Sequence, residues 1–226
     1  MPTRASPSTV FLRVSVTIMR DFSSGGPLIV GIGGTAQAVS STEQALDVAL
    51  EAAAAAGARI ERFGHRELVE LPHFLTVAEN TCTQAQRLIA AVREADGIIL
   101  ASPGYHGSIS GLVKNAIDYL ELTSKDERPY LHGLPVGLIV TAYGWQATGS
   151  TLVALRSIVH ALRGWPTPFG CTVNTSKGLF KDGVCLDDSV ADQLATVGRQ
   201  VVEFVGHRLR GEALARANGE LSSIQE

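Results

Sequence analysis

Cysteine is scarce and scattered in this chain. Only Cys82, Cys171 and Cys185 occur among 226 residues, and they form neither a CxxC pair nor a zinc spacing. An odd, dispersed set suits a reduced cytoplasmic protein better than a disulfide framework. It also lacks the closely grouped thiolates that an iron–sulfur cluster requires. The six histidines, His65, His73, His106, His132, His160 and His207, never fall into H-x-x-x-H spacing, so no metal site is expected. Neither sign of charge dominates: 19 Lys and Arg stand against 22 Asp and Glu, for a net charge of -3. That balance supplies no basic stripe for nucleic acid or an anionic membrane surface. No apolar run reaches the roughly 18 to 20 residues of a membrane helix. Val10 to Met19 is mildly apolar, but Arg13 interrupts it and no clear small-residue cleavage site follows. Residues 1–26, ending in Ser23-Ser24-Gly25-Gly26 before Pro27, therefore read as a flexible tail rather than a leader.

What the chain does have is alternation. Leu28 to Ile32, Gly97 to Ala101 and Val136 to Thr141 are short, wholly apolar runs, the pattern of strands buried on both faces. Ala58 to Phe63 is a weaker strand and Phe169 to Val173 a last one. Between them lie helical stretches at Glu43 to Ala56, Thr83 to Ala95, Gly111 to Leu122 and Ser150 to Leu162. Gly57 stops the first of these as a C′ residue does. The final helix carries Val190, Leu194, Val197, Val201 and Phe204 at spacings of four, three, four and three. Five β–α units predict an α/β three-layer sandwich around a five-stranded parallel sheet, one domain over residues 27–226. In such sheets ligands bind beyond the carboxyl ends of the strands.

Three loops at those ends are informative. The first, Gly31-Ile32-Gly33-Gly34-Thr35-Ala36-Gln37-Ala38-Val39-Ser40-Ser41-Thr42, formally fits the dinucleotide fingerprint at Gly31, Gly33 and Ala36, with Glu61 as a ribose acid. It runs on much longer than a Rossmann turn, however, and ends in three hydroxyls. Hydroxyls and backbone N–H groups at a helix N-terminus hold a phosphate monoester. Plain helix capping by Ser41 or Thr42 uses the same residues equally well. The second loop, after the third strand, contains Gly107-Ser108-Ile109-Ser110-Gly111. The nucleophile elbow G-x-S-x-G needs serine at the centre, where Ile109 stands, so a serine hydrolase is excluded. What remains is a Pro-Gly turn, an aromatic at Tyr105, and hydroxyls leading into an amphipathic helix.

The segment Ser102-Pro103-Gly104-Tyr105-His106-Gly107-Ser108-Ile109-Ser110-Gly111 with Lys114, Asn115, Ala116, Ile117 and Asp118 closely resembles the signature of the NAD(P)H-dependent FMN reductases, which are flavodoxin-like flavoproteins. The resemblance spans Leu28 to about Val173. It implies that Pro103, Gly104, Tyr105, His106, Ser108 and Ile109 line an isoalloxazine ring. It implies further that Gly34, Thr35, Gln37, Ser40, Ser41 and Thr42 hold the FMN phosphate, and that Ala142, Tyr143, Gly144 and Trp145 follow the ring edge. Ordinary packing accounts for Trp145 equally well. Thr35 stands where the family usually has serine, while Ser40 and Thr42 match. Gln37 replaces the usual arginine, which removes a cation from beside the phosphate. The resemblance implies FMN as cofactor and NADPH or NADH as hydride donor. The acceptor would be a small molecule (a quinone, azo dye or metal oxyanion) or a flavin-dependent monooxygenase receiving reduced FMN. Hydride transfer needs no protein nucleophile, so no catalytic acid or base is assigned. A flavodoxin-type electron carrier and a dinucleotide-binding dehydrogenase stay open as alternatives. The helix from Ser150 to Leu162 carries apolar residues on more than one face, which predicts a homodimer or homotetramer. Asp182-Gly183 reads as a tight turn without assigned chemistry.

Overall fold

Alternate residues of the central strands are sorted onto two different hydrophobic cores, and this sorting sets the architecture. Val30, Ile32, Ile98, Leu100, Leu138 and Val140 face one core, while Ile29, Ile99, Ala101, Ile139 and Cys171 face the other. Strands buried on both faces need helices on both sides. The computed structural model describes residues 25–76 and 82–223, with side chains as far as residue 215. The expectation of a tail concerns residues 1–26, of which 1–24 lie outside the described residues.

Five strands, β1 (Leu28–Gly33), β2 (Arg59–Phe63), β3 (Gly97–Tyr105), β5 (Pro135–Ala142) and β6 (Trp165–Asn174), pair in parallel in the order β2-β1-β3-β5-β6. A two-residue strand β4 (Ser108–Ile109) folds back antiparallel on the end of β3. The helices α1 (Ser41–Ala55) and α6 (Asp188–Ser223) cover one face. On the other lie α2 (His65–Glu70), α3 (Thr83–Glu94), α4 (Gly111–Asp118) and α5 (Trp145–Ala161). A small hairpin, β7 (Phe180–Lys181) and β8 (Val184–Cys185), follows β6. The three-layer sandwich with a parallel sheet is thus the observed fold, and its strand order is that of flavodoxin-like sheets.

Several boundaries differ from the sequence expectation for identifiable reasons. β6 begins at Trp165 rather than Phe169. Pro166 and Pro168 disguise its start, and an edge strand with a register shift between Val136 and Leu138 accommodates them. α5 begins at Trp145, five residues early, because Gly144 takes the extended cap conformation. The helix at Gly111 gives way after Asp118 to a 3-10 turn over Tyr119–Thr123, where Thr123 Oγ1 donates to the Leu120 carbonyl at 2.7 Å. In α6 the buried stripe is Leu194, Val197, Val201 and Val205, with Phe204 and Val190 only half-buried. α2 was not foreseen.

Candidate functional site

The three loops singled out in the sequence follow β1, β3 and β5, which are neighbours in the sheet. All three therefore open at one carboxyl edge.

The β1–α1 loop starts with two glycines. A Cβ on Gly33 would lie 2.3 Å from the Ala101 carbonyl oxygen, and Gly34 has φ +147°. Thr35 Oγ1 then closes a tight turn, accepting from the Gln37 N–H at 3.0 Å and lying 3.1 Å from the Gln37 carbonyl. Val39 takes φ 57° and is 71% exposed. A β-branched residue in the left-handed region costs about 1–3 kcal/mol, strain that proteins concentrate at functional sites. Ser40 is the N-cap of α1, its Oγ accepting from the Glu43 N–H at 3.3 Å. The N–H groups of Ser41 and Thr42 have no intrahelical acceptor, as at every helix start. The Thr42 side chain is buried and shares a 2.6 Å hydrogen bond with Thr141 at the end of β5. That hydroxyl ties helix to sheet, so an anion at this helix start could meet Thr42 only through its backbone N–H.

The β3–α4 segment is a rigid hairpin. Gly104 pairs with Ile109 and Tyr105 with Ser108, and His106 (φ 51°) and Gly107 (φ 86°) form the turn. Two successive positive φ values are those of the type I′ turn, whose twist matches the strands it joins. Ser102 Oγ accepts from the Ser110 N–H at 3.0 Å, and Ser110 Oγ caps α4 on the Val113 N–H at 3.2 Å. From α5, Thr151 Oγ1 donates to the Ser108 carbonyl at 3.2 Å. A Cβ on Gly104 would lie 2.8 Å from Thr151 Oγ1. Sequence reasoning assigned nothing to Ser102, Thr141 or Thr151. Each is a buried hydroxyl on a strand or helix interior, a place where composition alone does not distinguish a brace from filler.

Tyr105, His106 and Ser108 face solvent on this hairpin, whereas Pro103 and Ile109 are buried and offer only backbone. In the β5–α5 loop Ala142 is buried, while Tyr143 is 80% and Trp145 65% exposed. The structure thus brings all three predicted loops together as an open shelf with exposed aromatic side chains. None of them contains an acid. The first acid of α1, Glu43, is offset by Arg62 at 2.8 Å. A dianion at the start of α1 therefore meets helix-end N–H groups without uncompensated repulsion. A cavity of about 500 Å³ lies elsewhere, at the opposite end of the sheet, lined by Pro135, Trp165, Arg128, Phe204 and Arg208. None of the candidate residues borders it.

The profile of the NADPH-dependent FMN reductase family matches residues 27–178. The chain belongs to this family. The match takes in all three loops of the shelf. Among FMN-dependent NADPH-azoreductases, that of Staphylococcus saprophyticus is 38% identical over 41% of this chain and 45% of its own length. That of Staphylococcus haemolyticus is 33% identical over 51% of this chain and 60% of its own. The chain thus spans about half the length of these relatives. Solved structures share the fold. An oxidoreductase from Corynebacterium diphtheriae superposes with a TM-score of 0.64 at 20% identity, over 80% of this chain and 98% of that one. An apo NADH:FMN oxidoreductase does so with 0.62 at 22%, over 79% and 88%. The residues of the shelf suit the family's cofactor: an acid-free loop at a helix start for the phosphate and a stiff aromatic hairpin on the next strand. Gln37 remains the departure.

Proposed function

We propose that this chain is an FMN-dependent oxidoreductase that draws hydride from NADPH or NADH and delivers electrons to a small acceptor. The observation that carries this reading is the adjacency of the acid-free β1–α1 loop and the hairpin with two left-handed turn residues. The loop suits a phosphate monoester, and the hairpin offers a fixed polar backbone edge beside an exposed tyrosine. Bound FMN supplies the hydride-accepting ring. The protein's part is placement. Ser102, Ser110 and Thr151 stiffen the hairpin, so little ordering is left to accomplish on binding. Tyr105, Tyr143 and Trp145 provide flat apolar surface against which a heterocycle excludes water.

Two observations favour this over a dinucleotide-binding dehydrogenase. α1 starts only at Ser41, eight residues past Gly33, and Glu61 is paired with Arg87 at 3.1 Å rather than free for a ribose. The azoreductase relatives make azo dyes the first acceptors to try, with quinones, chromate and a monooxygenase partner behind them. Three unpaired cysteines support a reducing, cytoplasmic setting, and no helix among the described residues is long and apolar enough to cross a membrane. A homodimer is part of the proposal, formed on the α4–α5 face. Steady-state oxidation of NADPH and NADH with free FMN, a quinone, an azo dye and chromate tests the reading. FMN-dependent turnover with at least one acceptor is expected. A chain that takes up FMN but oxidises neither nicotinamide is a carrier instead.

A further inference from the structure

The β1–α1 loop carries Gln37 where the family pattern it resembles has arginine, and its backbone is held from outside at both ends. At the start, His65 Nδ1 lies 3.0 Å from the Thr35 carbonyl oxygen. A carbonyl can only accept, so Nδ1 carries the proton in this contact. His65 is itself seated firmly. Its backbone N–H donates to buried Glu43 Oε1 at 3.0 Å, and a Cβ on Gly34 would come within 3.2 Å of that nitrogen. At the far end, Gln44 Nε2 donates to the Val39 carbonyl at 3.3 Å. The other end of that amide, Oε1, accepts from the Gly183 N–H at 3.3 Å. Gly183 and Asp182 both have positive φ, so the tip of the β7–β8 hairpin is a tight turn pressed against α1.

These contacts have a directional consequence. Every peptide bond in the described chain is trans, so a C=O and the N–H of the next residue point opposite ways. Drawing the Thr35 and Val39 carbonyls outward turns the Ala36 and Ser40 N–H groups away from their anchors. Backbone N–H groups kept clear of such anchors are what an anion needs when no side-chain cation is present. We propose that His65 and Gln44, the latter seated on the Asp182-Gly183 turn, are positioning residues that hold the loop in its phosphate-binding shape in place of the missing arginine. This rests on the FMN reading above. It also gives the β7–β8 hairpin a purpose that its sequence did not reveal.

The test compares FMN with riboflavin, which lacks the phosphate, by quenching of flavin fluorescence on the purified full chain. His65→Ala and Gln44→Leu should each weaken FMN binding roughly tenfold, the scale of one or two oriented hydrogen bonds to a charged group. Riboflavin affinity should stay within about twofold of wild type, since the brace acts only through the phosphate loop. His65→Asn keeps an N–H donor near the Nδ1 position and should restore most of the FMN affinity. Equal losses for both flavins, or FMN affinity untouched in both variants, overturns the brace while the FMN reading stands. A wild-type chain that binds riboflavin as tightly as FMN overturns the phosphate assignment and the brace with it.

Discussion

Thr42 shows how one residue type serves two demands. Its position at the start of α1 matches the family's phosphate loop, but its hydroxyl is buried against Thr141 at 2.6 Å. Thr42→Val leaves the Thr141 hydroxyl without its partner, which costs about 1–3 kcal/mol. Thermal unfolding should register this as a drop of roughly 2–4 °C per kcal/mol, with Thr42→Ser close to wild type. Cys171 gives a second residue-scale test. Burial pushes its thiol up to about 12, so the native state keeps a proton that the unfolded chain gives up above the ordinary thiol range. This contribution is whole below the unfolded pKa and is lost as pH rises toward the folded one. Stability should fall by at most about 1.4 kcal/mol per pH unit from this residue in that alkaline window. At neutral pH a thiol reagent should modify half-buried Cys82 and Cys185 first, and Cys171 only on global unfolding. The sequence could count the cysteines but could not say which one lies in the core.

Among the elements, α6 and α1 meet at a point where propensity and packing disagree. A Cβ at Gly198 would lie 2.0 Å from the Ala49 carbonyl oxygen. Helix propensity alone favours Gly198→Ala by about 1 kcal/mol. The clash forces the helices apart, and overpacking of that kind costs about 1–3 kcal/mol or more. Gly198→Ala should therefore destabilise the protein in a denaturant titration, whereas a gain would mean that the two helices are not so close. The same contest explains what was legible. Long apolar runs such as Leu28 to Ile32 and Val136 to Thr141 announced their strands because nothing else competes for them. Trp165-Pro166-Thr167-Pro168 hid the start of β6, since proline speaks against a strand except at an edge, and edges are a property of the whole sheet. The three loops of the shelf were legible through their glycines, hydroxyls and aromatics. His65 and Gln44 were not, because their role depends on which carbonyl they face.

For the whole molecule, the α4–α5 face is one of the surfaces that carry exposed apolar side chains among the described residues. Val153 is 68% exposed, and a groove of about 310 Å³ is lined by Phe74, Ile117, Ile158 and Leu162 with Lys114, Asp118 and Glu121 at its rim. Lys114 and Asp118 pair across one helical turn at 2.5 Å, so charge at that rim is largely satisfied. Light scattering at micromolar concentration should give a dimer. A monomer with full flavin reduction would refute the assembly. On the proposed function, the shelf holds FMN and reduced nicotinamide delivers hydride to it. The most direct measurement is the visible absorbance of the FMN-loaded chain, freed of excess flavin and kept from oxygen, after adding one equivalent of NADPH or NADH. The yellow flavin should bleach, and its colour should return when an azo dye or quinone is added. A chain that retains FMN but stays yellow with both nicotinamides, or that takes up FAD and refuses FMN, would contradict that function.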